Sequence, residues 1–283
     1  MLITPFKSIV NQYSTIFFDA FGVLKNHGGL IPGIEDTFKY LEDNNIEYFI
    51  ITNDASRGPL ELAEDYQTRG LKQITKSKIV SSGMLAREYL KLKVKEGTVA
   101  YLGTDASAHY LQTSGINTVS IGDLNLDDAE SIKALVFMDD EGYDWQKDIN
   151  KALNLLRMVN IPAIISNTDK TYPTSKSEVA IAAGALANMI EDISGKSFIR
   201  FGKPDAQMFI FAHEHAVAQG GTSDRSKILM VGDTLGTDIL GGNKFGLDTA
   251  LVLTGNTLEK YADMRITTSG IAPTYICHSA VIE

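Results

Sequence analysis

A single cysteine, a single tryptophan and seven prolines in 283 residues narrow the field at the outset. Cys277 has no partner, so an intramolecular disulfide and a cysteine-paired zinc knuckle are excluded. That fits a reducing compartment, and a cytoplasmic location is expected. With few prolines, 44% hydrophobic and 22% charged residues, the composition is globular rather than fibrous or disordered. A basic surplus is also missing. Twenty-six Lys and Arg against 35 Asp and Glu leave a net charge of -9, which disfavours a polyanion, so no nucleic-acid partner is expected. Long apolar runs are absent too. The most apolar helical candidate, Val179 to Ile190, is about twelve residues against the roughly twenty that cross a bilayer. The first residues, Met1 to Ser14, lack the apolar core of a secretion signal. No membrane partner is expected, and the length allows two ordinary domains.

What is present is organised around Ile16–Leu24, an apolar run interrupted by Asp19. Such a run reads as a strand buried on both faces of a parallel sheet, and ligands bind beyond the carboxyl ends of such strands. Alone, Asp19 reads better as an acid capping a turn or helix, and the rest of the chain shifts that reading. Strand-like and helix-like segments then alternate along the chain. Ile46 to Thr52 ends in Thr52-Asn53-Asp54, and a third short strand ends in Ile79-Val80-Ser81-Ser82-Gly83, again in small polar residues. From about Thr98 the alternation restarts, through Ala134–Met138 with Asp139-Asp140 and Ala163–Ile165 with Ser166-Asn167-Thr168-Asp169. After residue 198 come Gly202-Lys203-Pro204, with Pro204 suited to a first helical position, and Gly232-Asp233 with Asp238. This predicts an α/β fold with a parallel sheet, in which one α/β domain is inserted into another.

Asp19, Thr52, Lys203, and Asp233 with Asp238 resemble the four motifs of the haloacid dehalogenase superfamily of phosphohydrolases. The spacing of these motifs and the Thr52-Asn53, Ser166–Asp169 and Gly202-Lys203-Pro204 phrases are similar to class IIA, the NagD-type and p-nitrophenylphosphatase-type branch. The resemblance implies a Rossmann-like core at residues 1–97 and 198–283 and an inserted α/β cap of the C2 type at 98–197. It implies a Mg2+-dependent phosphatase acting on a small phosphorylated metabolite: a sugar phosphate, a nucleotide, or an aryl or acyl phosphate. Asp19 would be the nucleophile, and Thr52 and Lys203 would serve catalysis. Thr52, Asn53, Asp54, Asn167, Asp169 and Lys203 would contact substrate, with Tyr172 beside them. Asp19, the Phe21 carbonyl, Asp233 and Asp238 are the candidate metal ligands, although Asp238 suits holding metal-bound water or Lys203 better than binding the metal itself. Many relatives dimerise through the cap, and a homodimer is carried over from them.

Phe21 departs from that pattern, because phosphatases of the family usually carry a second Asp there as general acid and base. Three readings follow: slow turnover or a preference for weakly basic leaving groups; a substitute acid, Asp54 or more weakly His27; or a phosphate-binding scaffold with little turnover. Asp54 also reads as a plain turn cap. A receiver-like regulatory protein is disfavoured, because receivers carry their acceptor Asp on the third strand and have no inserted cap. His213-Glu214-His215 reads as surface histidines, since residues two apart on a helix face differently. Asp139-Asp140-Glu141 reads as an acidic turn, Gly241-Gly242 with Gly246 as close helix packing, and Tyr143 and Trp145 as packing of the inserted domain.

Overall fold

The computed structural model describes residues 2–94, 96–175 and 178–282. Contacts divide the chain into two compact units. One comprises Met1–Thr52, Pro59–Val80 and Lys203–Glu283, and the other Asn53–Gly58 and Ser81–Gly202.

In the first unit a six-stranded sheet runs in the order Tyr275–Cys277, Asp248–Val252, Ile228–Gly232, Thr15–Phe18, Glu47–Thr52, Ile79–Ser81. The central strand pairs in parallel with both neighbours, and the pairing continues in parallel out to Tyr275–Cys277. Thr15–Phe18 and Ile228–Gly232 are buried at every residue, which is why they read as continuous apolar runs. Helix Ile34–Asp43 buries Ile34, Phe38 and Leu41 at helical spacing, and the Phe38 ring packs between Phe18, tilted at 5.5 Å, and Tyr48, edge-on at 4.9 Å. Phe17 points the other way, edge-on to Phe49, which in turn meets His215 of helix Ala206–Ala218. Each such buried side chain contributes about 1.5–3 kcal/mol relative to exposure.

Register sets up the site. Phe18 lies opposite Val231 on one side and Ile50 on the other. Asp19, Thr52 and Asp233 therefore leave the sheet at the same carboxyl edge. Strand order also reverses at Thr15–Phe18, the switch point at which open parallel sheets take their ligands. The strand is shorter than the apolar run: it ends at Phe18, and Ala20 to Leu24 form a turn closed by the Leu24 amide donating to the Ala20 carbonyl. A small hairpin, Lys25–Asn26 with Gly29–Leu30, follows and carries His27 exposed at its tip.

The second unit holds a five-stranded sheet, all parallel, in the order Ile199–Arg200, Ala163–Ile165, Ile132–Phe137, Thr98–Leu102, Asn117–Ser120. Helix Trp145–Met158 starts at Asp144, whose side chain accepts from the Lys147 amide at 2.8 Å. The grouping extends beyond the expected 98–197, because helix Ser82–Lys93 packs within this unit: Gly83 abuts the Tyr110 ring, and Tyr89 lies 5.5 Å from Phe201. The helix expected from Val179 begins only at Ala183. Val179–Ile181 instead pairs antiparallel with Thr171–Pro173, as suits two β-branched residues. Among the described residues no helix is long and apolar enough to cross a membrane.

Candidate active site

Asp19 is the first residue past the central strand, and its amide stays on the ladder, donating to the Val231 carbonyl at 2.8 Å. Its Oδ1 accepts from the Ala20 amide at 2.7 Å and from Lys203 Nζ at 2.6 Å. The Lys203 ammonium, 2% exposed, also lies 2.7 Å from Asp238 Oδ1. Burial alone would favour the neutral amine, but Asp19 and Asp238 outweigh it and hold Lys203 charged, above the usual lysine range. Pro204 precedes the helix rather than opening it: the helix starts at Ala206, one residue beyond Asp205.

Asp233 sits two residues past Val231 and is fully buried. Its Oδ1 accepts from the Thr234 hydroxyl at 3.0 Å and its Oδ2 from the Asn256 amide. Two glycines make the slot it occupies. A Cβ on Gly22, where φ is +86°, would lie 2.2 Å from Asp233 Oδ2, and one on Gly255 would lie 1.9 Å away. Asp238 lies in the wide helical turn Leu235–Ile239, where Oδ2 accepts from the Thr234 amide at 3.0 Å while Oδ1 faces Lys203.

Two carboxylates thus pair with one ammonium, and Asp233 adds a third carboxylate to the cluster. Burial first and the Asp238 charge second push Asp233 up to about 7, against the bonds from Asn256 and Thr234. Burial and the Asp238 charge likewise push Asp19 well above the usual carboxylate range, against the opposing pull of Lys203. Asp19, Asp233 and Asp238 each offer an oxygen, and these atoms lie within 4.8 Å of one another. An all-oxygen, carboxylate-rich set with unbalanced negative charge fits a hard divalent cation.

Of the remaining expected residues, Thr52 is buried at the end of its strand in this unit. The others group in the second unit. Asn53 donates to Thr168 Oγ1 at 3.0 Å and to Asp169 Oδ1 at 2.9 Å, while Asn167 Oδ1 accepts from the Asp169 amide at 3.0 Å. Asp54 Oδ1 accepts from the Ser56 amide at 2.9 Å and the Ser56 hydroxyl at 2.6 Å, the geometry of a turn cap. Tyr172 donates to Asp140 Oδ2 at 3.0 Å, and Trp145 Nε1 to the Asp140 carbonyl at 3.0 Å, so the acidic turn is tied into the packing around it. Burial pushes Asp139 up to about 6. His213 and His215 use separate partners, the carbonyls of Ser223 and Ser77. Sequence reading missed Gly22, Thr234, Gly255 and Asn256 as the frame of Asp233. The one signal for them was Thr254-Gly255, another small-residue turn after an apolar strand.

Residues 16–117 match the profile of haloacid dehalogenase-like hydrolases, and residues 200–281 match a HAD-hydrolase-like profile. Dihydroxyacetone phosphatase from Corynebacterium glutamicum (strain R) is 31% identical over 268 residues, covering 92% of this chain and 87% of that protein. The chain belongs to the haloacid dehalogenase-like hydrolase family. A crystal structure from Cytophaga hutchinsonii, described as a possible sugar phosphatase of the HAD superfamily, is 56% identical with a TM-score of 0.95, covering 100% of this chain and 99% of that one. p-Nitrophenyl phosphatase from Archaeoglobus fulgidus shares the fold, with 21% identity and a TM-score of 0.80 over 95% of this chain and 97% of that one. The class IIA resemblance read from the motifs therefore holds, and the chain is a hydrolase of the phosphatase type.

Proposed function

We propose that this enzyme hydrolyses a small phosphate monoester through an aspartyl-phosphate on Asp19. The observation that carries this reading is the buried Lys203 bridge between Asp19 and Asp238, beside Asp233 at one carboxyl edge. An Asp19 oxygen forms a bond to phosphorus as the ester oxygen leaves with its electron pair. Water then attacks phosphorus, the aspartyl bond breaks, and inorganic phosphate and free carboxylate result. Lys203 offsets the charge of Asp19 and of the phosphoryl oxygens, and Thr52 with the Asn53 amide donates to those oxygens.

Asp19, Asp233 and the Phe21 carbonyl would hold Mg2+, which supplies Lewis-acid neutralisation of the phosphoryl group when bound. Both Asp238 oxygens already have partners, Lys203 and the Thr234 amide, so its role in this reading is to hold the lysine. The discontinuous core with an inserted α/β domain belongs to the same reading.

Phe21 leaves no acid two residues beyond the nucleophile, and the loss of such a group costs about 10²–10⁴ in rate. Asp54 caps its own turn, which supports the cap reading over the substitute-acid reading. The enzyme is therefore expected to favour leaving groups that depart without a proton, aryl and acyl phosphates, over alkyl phosphates such as sugar phosphates. The test is phosphate release from p-nitrophenyl phosphate, acetyl phosphate and a panel of sugar phosphates and nucleotides, with Mg2+ or EDTA, beside Asp19→Asn. Metal-dependent turnover that disappears in Asp19→Asn is expected. Turnover undiminished by that substitution would overturn the mechanism, and phosphate binding without release from any ester would favour a scaffold.

A further inference from the structure

The second unit is joined to the first at four chain crossings, 52/53, 58/59, 80/81 and 202/203. Three of them converge on one residue, Asn53. Asn53, 2% exposed, spends both carboxamide hydrogens inside this unit, on Thr168 Oγ1 at 3.0 Å and Asp169 Oδ1 at 2.9 Å. Its main-chain carbonyl accepts from the buried Ser82 hydroxyl at 3.0 Å, just past the third crossing. Gly202, the last residue before the fourth, approaches so closely that a Cβ there would lie 2.7 Å from Asn53 Oδ1 and 3.0 Å from Thr168 Oγ1. The remaining crossing is tied separately: the Tyr110 hydroxyl donates to the Arg57 carbonyl at 2.7 Å and lies 2.6 Å from Ser81 Oγ.

We propose that the Asn53 carboxamide is a positioning residue for the reaction. It acts through Thr168 and Asp169 to fix the backbone at the two crossings whose next residues are Thr52 and Lys203. This rests on the phosphatase reading, in which those neighbours contact the transferred phosphoryl group. It also gives Asp169 a task other than touching substrate, since its Oδ1 receives the Asn53 donor. An amide is needed because only an amide supplies two donors in this shape. A carboxylate at position 53 would lose both and face the Asp169 carboxylate across the former bond. Misplacement of reacting groups by a fraction of an ångström to an ångström is expressed in the transition state, so kcat carries the loss.

The experiment compares wild type, Asn53→Ala, Asn53→Asp, Asp169→Ala, Asp169→Asn and the double alanine variant. Turnover of p-nitrophenyl phosphate with Mg2+ is measured beside amide hydrogen exchange of the full chain. In Asn53→Ala, kcat is expected to fall by roughly 10- to 100-fold with KM held within about twofold. Exchange should quicken in peptides covering 53–58, 81–85 and 198–206 but not in the strands Thr15–Phe18 and Ile228–Gly232. Asp169→Ala should reproduce the pattern, Asp169→Asn, which keeps an acceptor oxygen, should recover most of it, and the double variant should be no worse than either single one. Additive losses, an effect confined to KM, or unchanged exchange at the three segments would overturn the proposal. If Asn53→Ala does not fold, the partly exposed Asp169 pair of variants carries the same comparison. If wild type releases no phosphate, the phosphatase reading fails and this proposal falls with it, whereas an active wild type whose kcat survives Asn53→Ala overturns this proposal alone.

Discussion

Replacing Gly255 with alanine would probe the frame of Asp233 without replacing a titratable residue. The added methyl would stand 1.9 Å from Asp233 Oδ2 and 2.6 Å from both its carboxyl carbon and the Gly22 Cα, where ordinary contact starts at 3.4 Å. Gly22 is poorly placed to yield. Its amide donates to the Lys25 carbonyl at 2.7 Å, and its own carbonyl accepts from the Thr254 hydroxyl. Asp233 must move instead, and the Asn256 amide and Thr234 hydroxyl lose their acceptor. Overpacking of this kind costs about 1–3 kcal/mol. A lost hydrogen bond to a charged acceptor costs about 1.5–3 kcal/mol. Relief of the clash and loss of the bond are one event, so the two do not add in full, and a destabilisation of about 2–4 kcal/mol is expected.

The same displacement spoils a carboxylate read here as a metal ligand, and a disturbed supporting shell typically lowers metal affinity by about 10- to 100-fold. Urea denaturation in EDTA would report the first effect and calorimetric titration with Mg2+ the second. Gly236→Ala is the control, because a Cβ there meets nothing within 4 Å, and a change within about 0.5 kcal/mol is expected. A Gly255→Ala protein as stable as that control, with wild-type Mg2+ affinity, would refute the reasoning.

Lys203→Met would leave the buried Asp238 and the partly exposed Asp19 carboxylates without their cation, and breaking a buried pair such as that with Asp238 costs about 3–5 kcal/mol. Urea denaturation in EDTA measures it, and a loss below about 1 kcal/mol would show the bridge to be poorly formed. At Cys277, fully buried, burial pushes the thiol up to about 12, so native protein should resist thiol reagents at pH 8 while the unfolded chain reacts quickly. Between the unfolded thiol value near 8.5 and the native one, the unfolded state gives up a proton that the native state keeps. Stability therefore declines as pH rises through that window, by up to about 1.4 kcal/mol per pH unit, and Cys277→Ala should show a shallower decline between pH 8 and 10. Equal slopes in the two proteins would contradict the buried, protonated thiol.

The motif residues were legible because each follows an apolar run. A carboxylate or hydroxyl at the end of a fully buried strand is conspicuous, and parallel register brings such ends to one edge. Asp19, Thr52 and Asp233 stood out by sharing that placement, where any one of them alone reads as structural. Lys203 and Asp238 were legible by residue type, but their pairing was left open beside a metal role for Asp238. What stayed hidden depends on approach distances between segments far apart in sequence. Gly22 and Gly255 lie 233 positions apart, and nothing local to either says that Asp233 fills the space between them. Asn53 was expected to offer its backbone amide, and the task of its side chain appears only once the 166–170 loop is folded beside it. The edge of the second unit was misjudged for a similar reason, since the packing of Gly83 on Tyr110 leaves no trace in composition.

Asp233 and Asp238, five residues apart and both fully buried, show how neighbours rather than residue type divide the work. Asp238 meets a full positive charge, and its charge and that of Lys203 offset each other locally. Asp233 is bonded by a hydroxyl and an amide, neutral donors that orient it without cancelling its charge. With Asp19 sharing the same lysine, the uncompensated charge of the site falls on the Asp19 and Asp233 side, and a divalent cation placed there balances the cluster. A further Asp at position 21 would have added another titratable acid two residues from the nucleophile. Phe21 adds neither charge nor proton, so on the reading proposed here the site keeps the means to stabilise the transferred phosphoryl group and lacks the means to protonate what leaves. Selection among substrates would then be made by the basicity of the leaving group.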